Sequence, residues 1–229
     1  MRLCFNRIFL LLLMFSLLFC SCQQATASDN APESDPASSL TFLGDSITAH
    51  MASRADVKPE QIWATKERYL NLDSHITSAK VLAPDTGKEE RIAELAARLK
   101  PQKLIITLGI DYGVYYYRND LSVFAKYYER LIDQIHAASG QTQIILQSIF
   151  PVSADCKIIT NQMIDNANAA IKALAQRKDL RYLDTQSVMR DADGFLKKEY
   201  CNSEDGIHLT STAYQAILAY ISSQVQNEV

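Results

Sequence analysis

The chain has 229 residues, of which 48% are hydrophobic and 21% are charged, and its formal net charge is −3 at pH 7. This balance argues against a nucleic-acid partner, because no basic run offers a binding surface to a phosphate backbone. The sequence has neither a glycine-rich phosphate loop nor clustered metal ligands, so we expect no cofactor and no metal.

The first 21 residues have the pattern of an export signal. Arg2 and Arg7 precede an apolar run over residues 8–19, which is too short to span a bilayer as a mature helix. The run leads into Ser21-Cys22, and a small residue directly before a cysteine suits lipidation of Cys22 with cleavage after Ser21. We predict a lipoprotein signal peptide over 1–21 and an exported protein anchored to a bacterial-type membrane only through lipid. Simple secretion and a retained transmembrane anchor are the alternatives.

A polar segment follows the predicted signal. Residues 23–39 are rich in Ser, Ala, Asp, Pro and Gln without an apolar period, a composition that cannot bury enough surface to order itself. We predict that residues 22–39 comprise the lipidated Cys22 and a disordered tether. From Leu40 onward about 190 residues remain, the size of one α/β domain. We therefore predict one domain over 40–229, and we expect a monomer.

Short apolar runs alternate with helical patterns along this domain, which is typical of parallel sheets with crossover helices. The candidate strands are Leu40–Leu43, Arg68–Leu72, Lys103–Leu108, Gln143–Ile149 and Arg181–Asp184. The candidate helices are Glu89–Leu99, Leu121–Ala138, Asn161–Arg177 and Ser211–Gln226. Thr86, three residues before Glu89, predicts a capping-box start for the first helix, and Thr210 is placed to cap the last.

Five such strands predict an α/β fold, a three-layer α/β/α sandwich whose five-stranded parallel sheet has the flavodoxin-like order 2-1-3-4-5. Ligand chemistry in these folds lies at the carboxyl ends of the strands. Gly44-Asp45-Ser46 and Gly109-Ile110-Asp111 both fall there, as do the loops that hold Cys156 and Cys201.

Ser46 follows the first strand on a turn that would expose its hydroxyl. A serine hydroxyl is a weak nucleophile that needs a neighbouring base, itself oriented by a third group. Among the four histidines, His208 stands just before the capped last helix, with Asp205 three residues upstream. Asp205 can accept the Nδ1–H of His208, which leaves Nε2 to take the proton of Ser46. We predict that these three residues form a catalytic triad.

Two segments carry a family resemblance. Residues 44–48, Gly-Asp-Ser-Ile-Thr, resemble the first block of the SGNH/GDSL hydrolases, and residues 205–209, Asp-Gly-Ile-His-Leu, resemble the last. The likeness extends over the whole domain from about residue 40 and implies the SGNH hydrolase fold. It implies a serine esterase that needs no cofactor and works through an acyl-enzyme. Its substrate would be a short acyl ester of an extracellular glycan, or a small ester or lipid. An O-acyltransferase and a catalytically weak, glycan-binding surface lipoprotein are the alternatives.

The resemblance also implies an oxyanion hole. Two of its donors would be the backbone N–H groups of Ser46 and Gly87, and the third would be an asparagine side chain. The alternative for Gly87 is that it only begins a helix. Asp111 stands where the family has that asparagine. Three outcomes are open: Asp111 donates as a neutral acid, it turns away while the Tyr112 hydroxyl or another amide donates, or the enzyme is slow or inactive.

Two further predictions concern the loops around this edge. Tyr112 and Tyr115 are candidates for a substrate pocket, and packing against the following helix is the alternative. Cys156 and Cys201 would pair as a disulfide in an oxidising compartment, closing a loop of about 45 residues worth roughly 4 kcal/mol. Two separate buried thiols are the alternative.

Overall fold

The computed structural model describes residues 39–202 and 204–225. The signal peptide, Cys22 and nearly all of the tether lie outside the described residues, and these assignments stay predictions. Within the described ranges, no helix has the length and apolar character needed to cross a membrane.

Seven strands lie along the described chain: β1 (Leu40–Gly44), β2 (Ile62–Trp63), β3 (Lys80–Leu82), β4 (Glu89–Arg91), β5 (Lys103–Thr107), β6 (Gln143–Gln147) and β7 (Arg181–Leu183). Five of them form one parallel sheet in the order β2-β1-β5-β6-β7. In sequence numbering of that sheet this is 2-1-3-4-5, so the predicted α/β class and strand order are confirmed. Strands β3 and β4 form a separate antiparallel pair.

Six α-helices surround the sheet: α1 (Ser46–Arg54), α2 (Ile92–Leu99), α3 (Leu121–Ala138), α4 (Asn161–Arg177), α5 (Gln186–Met189) and α6 (Ser211–Val225). Helix α3 packs against α2 and α4, whereas α6 packs against α1 and α5, which gives a helical layer on each side of the sheet. Short 3₁₀ turns occur at Pro59–Gln61, Ile76–Ser78 and Lys198–Tyr200.

The central strands are apolar on both faces, as strands covered by helices on both sides must be. Residues 104–106 of β5 and 144–146 of β6 are all buried. The helices that cover them begin at side-chain caps: Asp120 accepts the N–H groups of Ser122 and Val123, and Thr160 accepts that of Met163. Thr210 accepts the N–H of Ala213 in α6, as its position predicted.

The second sheet strand was predicted in the wrong place. It is Ile62–Trp63, which pairs with β1, and Trp63 is 1% exposed. Residues 68–72 instead form turns, and Arg68 has φ 64°, which no regular strand accommodates. Leu70 and Leu72 are buried, so their alternation with polar neighbours reflects a loop packed on the core.

The start of the second helix was also predicted too early. Residues 89–91 are strand β4, paired with β3, and α2 begins only at Ile92. Thr86 therefore caps no helix; its hydroxyl accepts the N–H of Lys88 within the connecting turn. The N–H groups of Thr86 and Gly87 donate to the carbonyl oxygen of Ala83, and the turn that they close brings residues 89–91 alongside β3. The pairing of β3 with β4 overrides the capping-box pattern.

Candidate active site

Ser46 is the first residue of α1, directly beyond the carboxyl end of β1. The turn is fixed by Asp45, whose buried Oδ2 accepts the N–H groups of Gly109 and Ile110 at 2.9 Å each. Gly44 is required before it, because a Cβ there would lie 2.2 Å from the carbonyl oxygen of Thr107. The ends of β1 and β5 are thus bonded together beneath the serine.

Asp205 and His208 lie on the loop that precedes α6. The loop is closed by a bridge between Cys201 and Leu209, and the N–H of Asn202 donates to the carbonyl oxygen of His208 at 2.8 Å. Asp205 Oδ1 accepts the N–H of Ile207 at 2.8 Å. The carboxylate is therefore held by the backbone of its own turn.

The structure brings the three predicted catalytic side chains together. His208 Nδ1 lies 2.8 Å from Asp205 Oδ2, and His208 Nε2 lies 3.3 Å from Ser46 Oγ. Ser46 and His208 are 162 residues apart in the chain, so their approach is a product of the tertiary fold. When His208 carries its proton on Nδ1 and donates it in a hydrogen bond to Asp205, Nε2 faces the serine as an acceptor.

These side chains open into a pocket of about 580 Å³. Its wall is formed by residues from five segments of the chain: Ser46, His50, Glu67, Arg68, Tyr69, Asn71, Ile110, Asp111, Ile158, Ile159, Ile207 and His208. The His50 ring lies 4.8 Å from that of His208, centroid to centroid, and so narrows the pocket beside the base. Burial, followed by the nearby His208, lowers the pKa of His50. Among the described residues, no group of three or more His, Cys, Asp and Glu side chains is placed to hold a metal ion.

The family model of the GDSL-like Lipase/Acylhydrolase family matches residues 42–216. The chain belongs to this family. It is therefore an ester-hydrolysing serine hydrolase, and the pocket at Ser46 is its candidate active site. The matched range includes both segments on which the resemblance was predicted.

Solved structures share the fold at low identity. A protein from Streptococcus pneumoniae, linked by name to platelet activating factor, has a TM-score of 0.59 at 19% identity, with 82% of this chain and 83% of that chain covered. A carbohydrate esterase family 3 protein from Talaromyces cellulolyticus has a TM-score of 0.54 at 17% identity, covering 82% and 96%. An acetyl-xylooligosaccharide esterase from Geobacillus has a TM-score of 0.52 at 15% identity, covering 81% and 93%. No curated protein matches the chain.

Asp111, where the resemblance implies an asparagine, contacts Ser46 directly. Ser46 Oγ donates to Asp111 Oδ1 at 2.7 Å, and the N–H of Ser46 donates to Asp111 Oδ2 at 2.9 Å. In this state the carboxylate accepts the hydrogen bond that the backbone of Ser46 would offer to an oxyanion. Behind the serine, burial, followed by the negative charge of Asp111, raises the pKa of Asp45 to about 7.

Gly87 was predicted as a second oxyanion donor, and the structure contradicts this. It lies in the turn between β3 and β4 with φ 66°, and its N–H donates to the carbonyl oxygen of Ala83 at 2.7 Å. The glycine lines a different pocket from the one that contains Ser46. The prediction failed because it assumed a helix start at this position, where the chain instead turns between two strands.

Tyr112 and Tyr115 do not line the Ser46 pocket either. Tyr112 stacks on Tyr116 with ring centroids 4.0 Å apart, and the guanidinium of Arg118 lies 4.2 Å from the ring centroid of Tyr115. The tyrosines of this segment contact one another rather than a substrate space. The backbone of Tyr112 does have a part near the site, because its carbonyl oxygen accepts the N–H of Leu72 and so holds the 65–72 loop.

The predicted disulfide is absent between Cys156 and Cys201, both of which the structure describes as half-buried thiols. They contact different parts of the catalytic loop. The backbone of Cys201 is bridged to Leu209, whereas Cys156 packs against Gly206, where an added Cβ would lie 3.1 Å from Cys156 Cβ. Backbone pairing, not a covalent link, closes the loop.

Arg54 is a site residue that the sequence reasoning missed. It ends the helix that Ser46 begins, and its Nη1 donates to the carbonyl oxygen of Leu209 at 3.0 Å. When the side-chain amide of Asn202 is oriented with its oxygen toward Arg54, that oxygen accepts hydrogen bonds from Nη2 at 3.0 Å and Nη1 at 3.1 Å. One guanidinium thus joins helix α1, which begins at Ser46, to both ends of the loop that holds Asp205 and His208. No local pattern identifies this contact, because the partners are about 150 residues away.

Proposed function

We propose that Ser46, His208 and Asp205 act as a catalytic triad that cleaves esters through an acyl-enzyme. The observation that carries the proposal is the continuous line of contacts from Asp205 Oδ2 through both imidazole nitrogens to Ser46 Oγ, at 2.8 and 3.3 Å. Contacts of this length suit proton transfer between a nucleophile and its base.

The reaction has two acyl-transfer steps. Ser46 Oγ attacks the ester carbonyl carbon and its proton passes to His208 Nε2; the C–O bond of the ester then breaks, and the proton goes to the leaving alcohol. Water, deprotonated by the same Nε2, then attacks the acyl carbon; the bond from that carbon to Oγ breaks, the acid leaves, and the proton on Nε2 returns to Ser46 Oγ. Asp205 holds the imidazole in the required tautomer and stabilises its charged form. The N–H of Ser46, at the N-terminus of α1, donates to the oxyanion once it is released from Asp111 Oδ2.

The proposed substrate is a short acyl group on an extracellular glycan or on a small ester. Two of the similar folds are named as esterases of carbohydrates or acetylated xylooligosaccharides, and we extend that substrate class to this chain. The pocket itself supports a short acyl group. Glu67, Arg68 and Asp111 line it together with four isoleucines, and an alkyl chain long enough to reach these charged groups would have to displace water from them.

The test is to measure how fast the purified protein hydrolyses a series of p-nitrophenyl esters from acetyl to octanoyl. Acetate release from an acetylated oligosaccharide is measured separately. We expect kcat/KM to fall by about tenfold or more between acetyl and octanoyl, in line with the cost of desolvating polar groups. Acetate release from the oligosaccharide would support the glycan. A preference for octanoyl would contradict the short-acyl proposal in favour of a lipid substrate.

We also propose that the domain acts outside the cell membrane, held there by lipid on Cys22. The support is the sequence of residues 1–22 alone. Mass spectrometry of the mature protein should find an N-terminal peptide that starts with acylated Cys22. A mature protein that starts elsewhere, or an unmodified Cys22, would contradict the anchor.

A further inference from the structure

The carboxylate of Asp111 lies beside the proposed nucleophile. Asp111 is exposed to the pocket, and within the described ranges its hydrogen bonds run to the backbone and hydroxyl of Ser46 and no ion pair forms. Of the nearby charged groups, Glu67 and Arg68 are adjacent in the chain and of opposite sign. Among the charged residues that line the pocket, Asp111 is the one bonded to Ser46, so its negative charge lies at the reacting atom.

A carboxylate at this position opposes ester hydrolysis in two ways. It repels the negative charge that develops on the carbonyl oxygen, where an amide would donate. It also competes with the base, because Ser46 has one hydroxyl proton and two acceptors for it. Asp111 Oδ1 lies 2.7 Å from Oγ and His208 Nε2 lies 3.3 Å from it, so the shorter contact draws the proton away from the base.

We propose that the substrate is an ester of an α-amino acid, whose ammonium group pairs with Asp111. This inference rests on the proposed function, in which Ser46 attacks the ester carbonyl. The α-nitrogen is two covalent bonds from the carbon that Ser46 attacks. A carboxylate oxygen 2.7 Å from the attacking oxygen is therefore within hydrogen-bond reach of that nitrogen when the ester is bound.

Pairing with an ammonium group reverses both effects of the carboxylate. The cation neutralises Asp111, and it brings positive charge next to the developing oxyanion, in place of the amide donor that is missing at position 111. With its charge offset, Asp111 competes less for the hydroxyl proton, which passes to His208 Nε2. The ammonium keeps its own protons throughout, so the bonds made and broken are those of the acyl transfer to Ser46.

The buried carboxyl behind the serine adds to this preference for a cation. Asp45 is 1% exposed, and its Oδ1 has no hydrogen-bond partner among the described residues. Part of the rise in the pKa of Asp45 comes from the negative charge of Asp111. A cation on Asp111 relieves that repulsion, whereas a neutral acyl group leaves it in place.

The experiment compares alanine ethyl ester, in both enantiomers, with ethyl propionate, which has the same carbon skeleton without the amine. Selectivity is defined as the ratio of kcat/KM for the alanine ester to that for the propionate. It is measured for the wild type and for Asp111→Asn, which keeps an oxygen to accept the Ser46 N–H but cannot pair with an ammonium. Comparing the two proteins cancels the intrinsic reactivity of each ester.

We expect selectivity to fall about 10–100-fold from the wild type to Asp111→Asn, the range for one hydrogen bond to a charged group. The rate on ethyl propionate should rise in the variant, because its amide can donate to the oxyanion. N-acetylalanine ethyl ester, which lacks the charge, should behave like the propionate with both proteins.

Three results would overturn the proposal. Unchanged selectivity in Asp111→Asn would show that Asp111 does not bind the amine. Loss of selectivity in Glu67→Gln instead would assign the cation to Glu67. A wild-type preference for propionylcholine over both ethyl esters would place the cation on the alcohol side. Ser46→Ala, measured on all esters, separates failure of the proposed function from failure of the proposed substrate. Turnover that persists without Ser46 rejects the proposed function. Turnover that depends on Ser46, with a selectivity that Asp111→Asn leaves unchanged, rejects only the amino-acid ester as substrate.

Discussion

Ser46→Ala is expected to lower kcat on every ester by about 10⁴–10⁶-fold, the loss that follows removal of the nucleophile from a serine triad. Without Oγ no acyl-enzyme can form, and the histidine and the backbone donors retain only weak catalysis of direct attack by water. Labelling by a fluorophosphonate, which reacts with activated serines, should disappear completely in the variant. Both effects are measured on the purified protein with p-nitrophenyl acetate and a fluorescent probe.

A second serine on the same helix provides the matched control. Ser53 lies near the end of α1, its side chain is exposed, and its hydroxyl donates only within the helix, to the carbonyl oxygen of His50. Ser53→Ala should therefore keep both turnover and labelling near the wild-type level. If Ser46→Ala is still labelled, or keeps more than a few per cent of the wild-type rate, the nucleophile is another residue.

The predicted site residues that the structure brings together are those with a local pattern in the sequence. Ser46 follows a buried strand, and Asp205 is three residues from His208, so each geometry follows from a few neighbouring residues. The sheet order has a similar origin, because long apolar runs such as those of β5 and β6 leave few topologies open.

The predictions that failed needed contacts between distant segments. Strand β2 has only two residues, and its pairing with β1 decides its position more than its own composition does. Gly87 was misplaced because the β3–β4 pairing replaced an expected helix start. Arg54 showed no local signal, since its partners lie about 150 residues away. The disulfide was predicted only because two cysteines remained for one bridge, and the structure has no bridge between Cys156 and Cys201.

The substitution at position 111 was visible in the sequence, but its consequence was not. Three outcomes were open for Asp111, and the structure has it in none of the donor roles, because both of its oxygens accept hydrogen bonds from Ser46. Only the distances to Ser46 Oγ reveal the competition between Asp111 and His208 for one proton. Because a cation on Asp111 would end this competition, the aspartate at position 111 leads to the proposal of a positively charged substrate.

Asp205→Asn is expected to lower kcat by about 10⁴-fold, the cost of presenting the histidine in the wrong tautomer. An asparagine amide facing Nδ1 donates a hydrogen bond to it, so the imidazole carries its proton on Nε2 and cannot accept the hydrogen bond from Ser46. Asp205 has a second task, because its Oδ1 accepts the N–H of Ile207. Asparagine retains that oxygen, so the loop should keep its shape and the melting temperature should stay near that of the wild type.

The comparison of Asp205→Asn with Asp205→Ala separates these two tasks. Alanine removes the acceptor for the Ile207 N–H as well, so it should lower the melting temperature in addition to the rate, whereas asparagine should lower the rate alone. Asp155→Asn, an exposed carboxylate in the segment that packs against Gly206, controls for loss of charge near the loop and should keep its activity. If Asp205→Asn retained wild-type turnover, the tautomer of His208 would be set by a different acceptor, and the short contact between Nδ1 and Asp205 would have only a structural role.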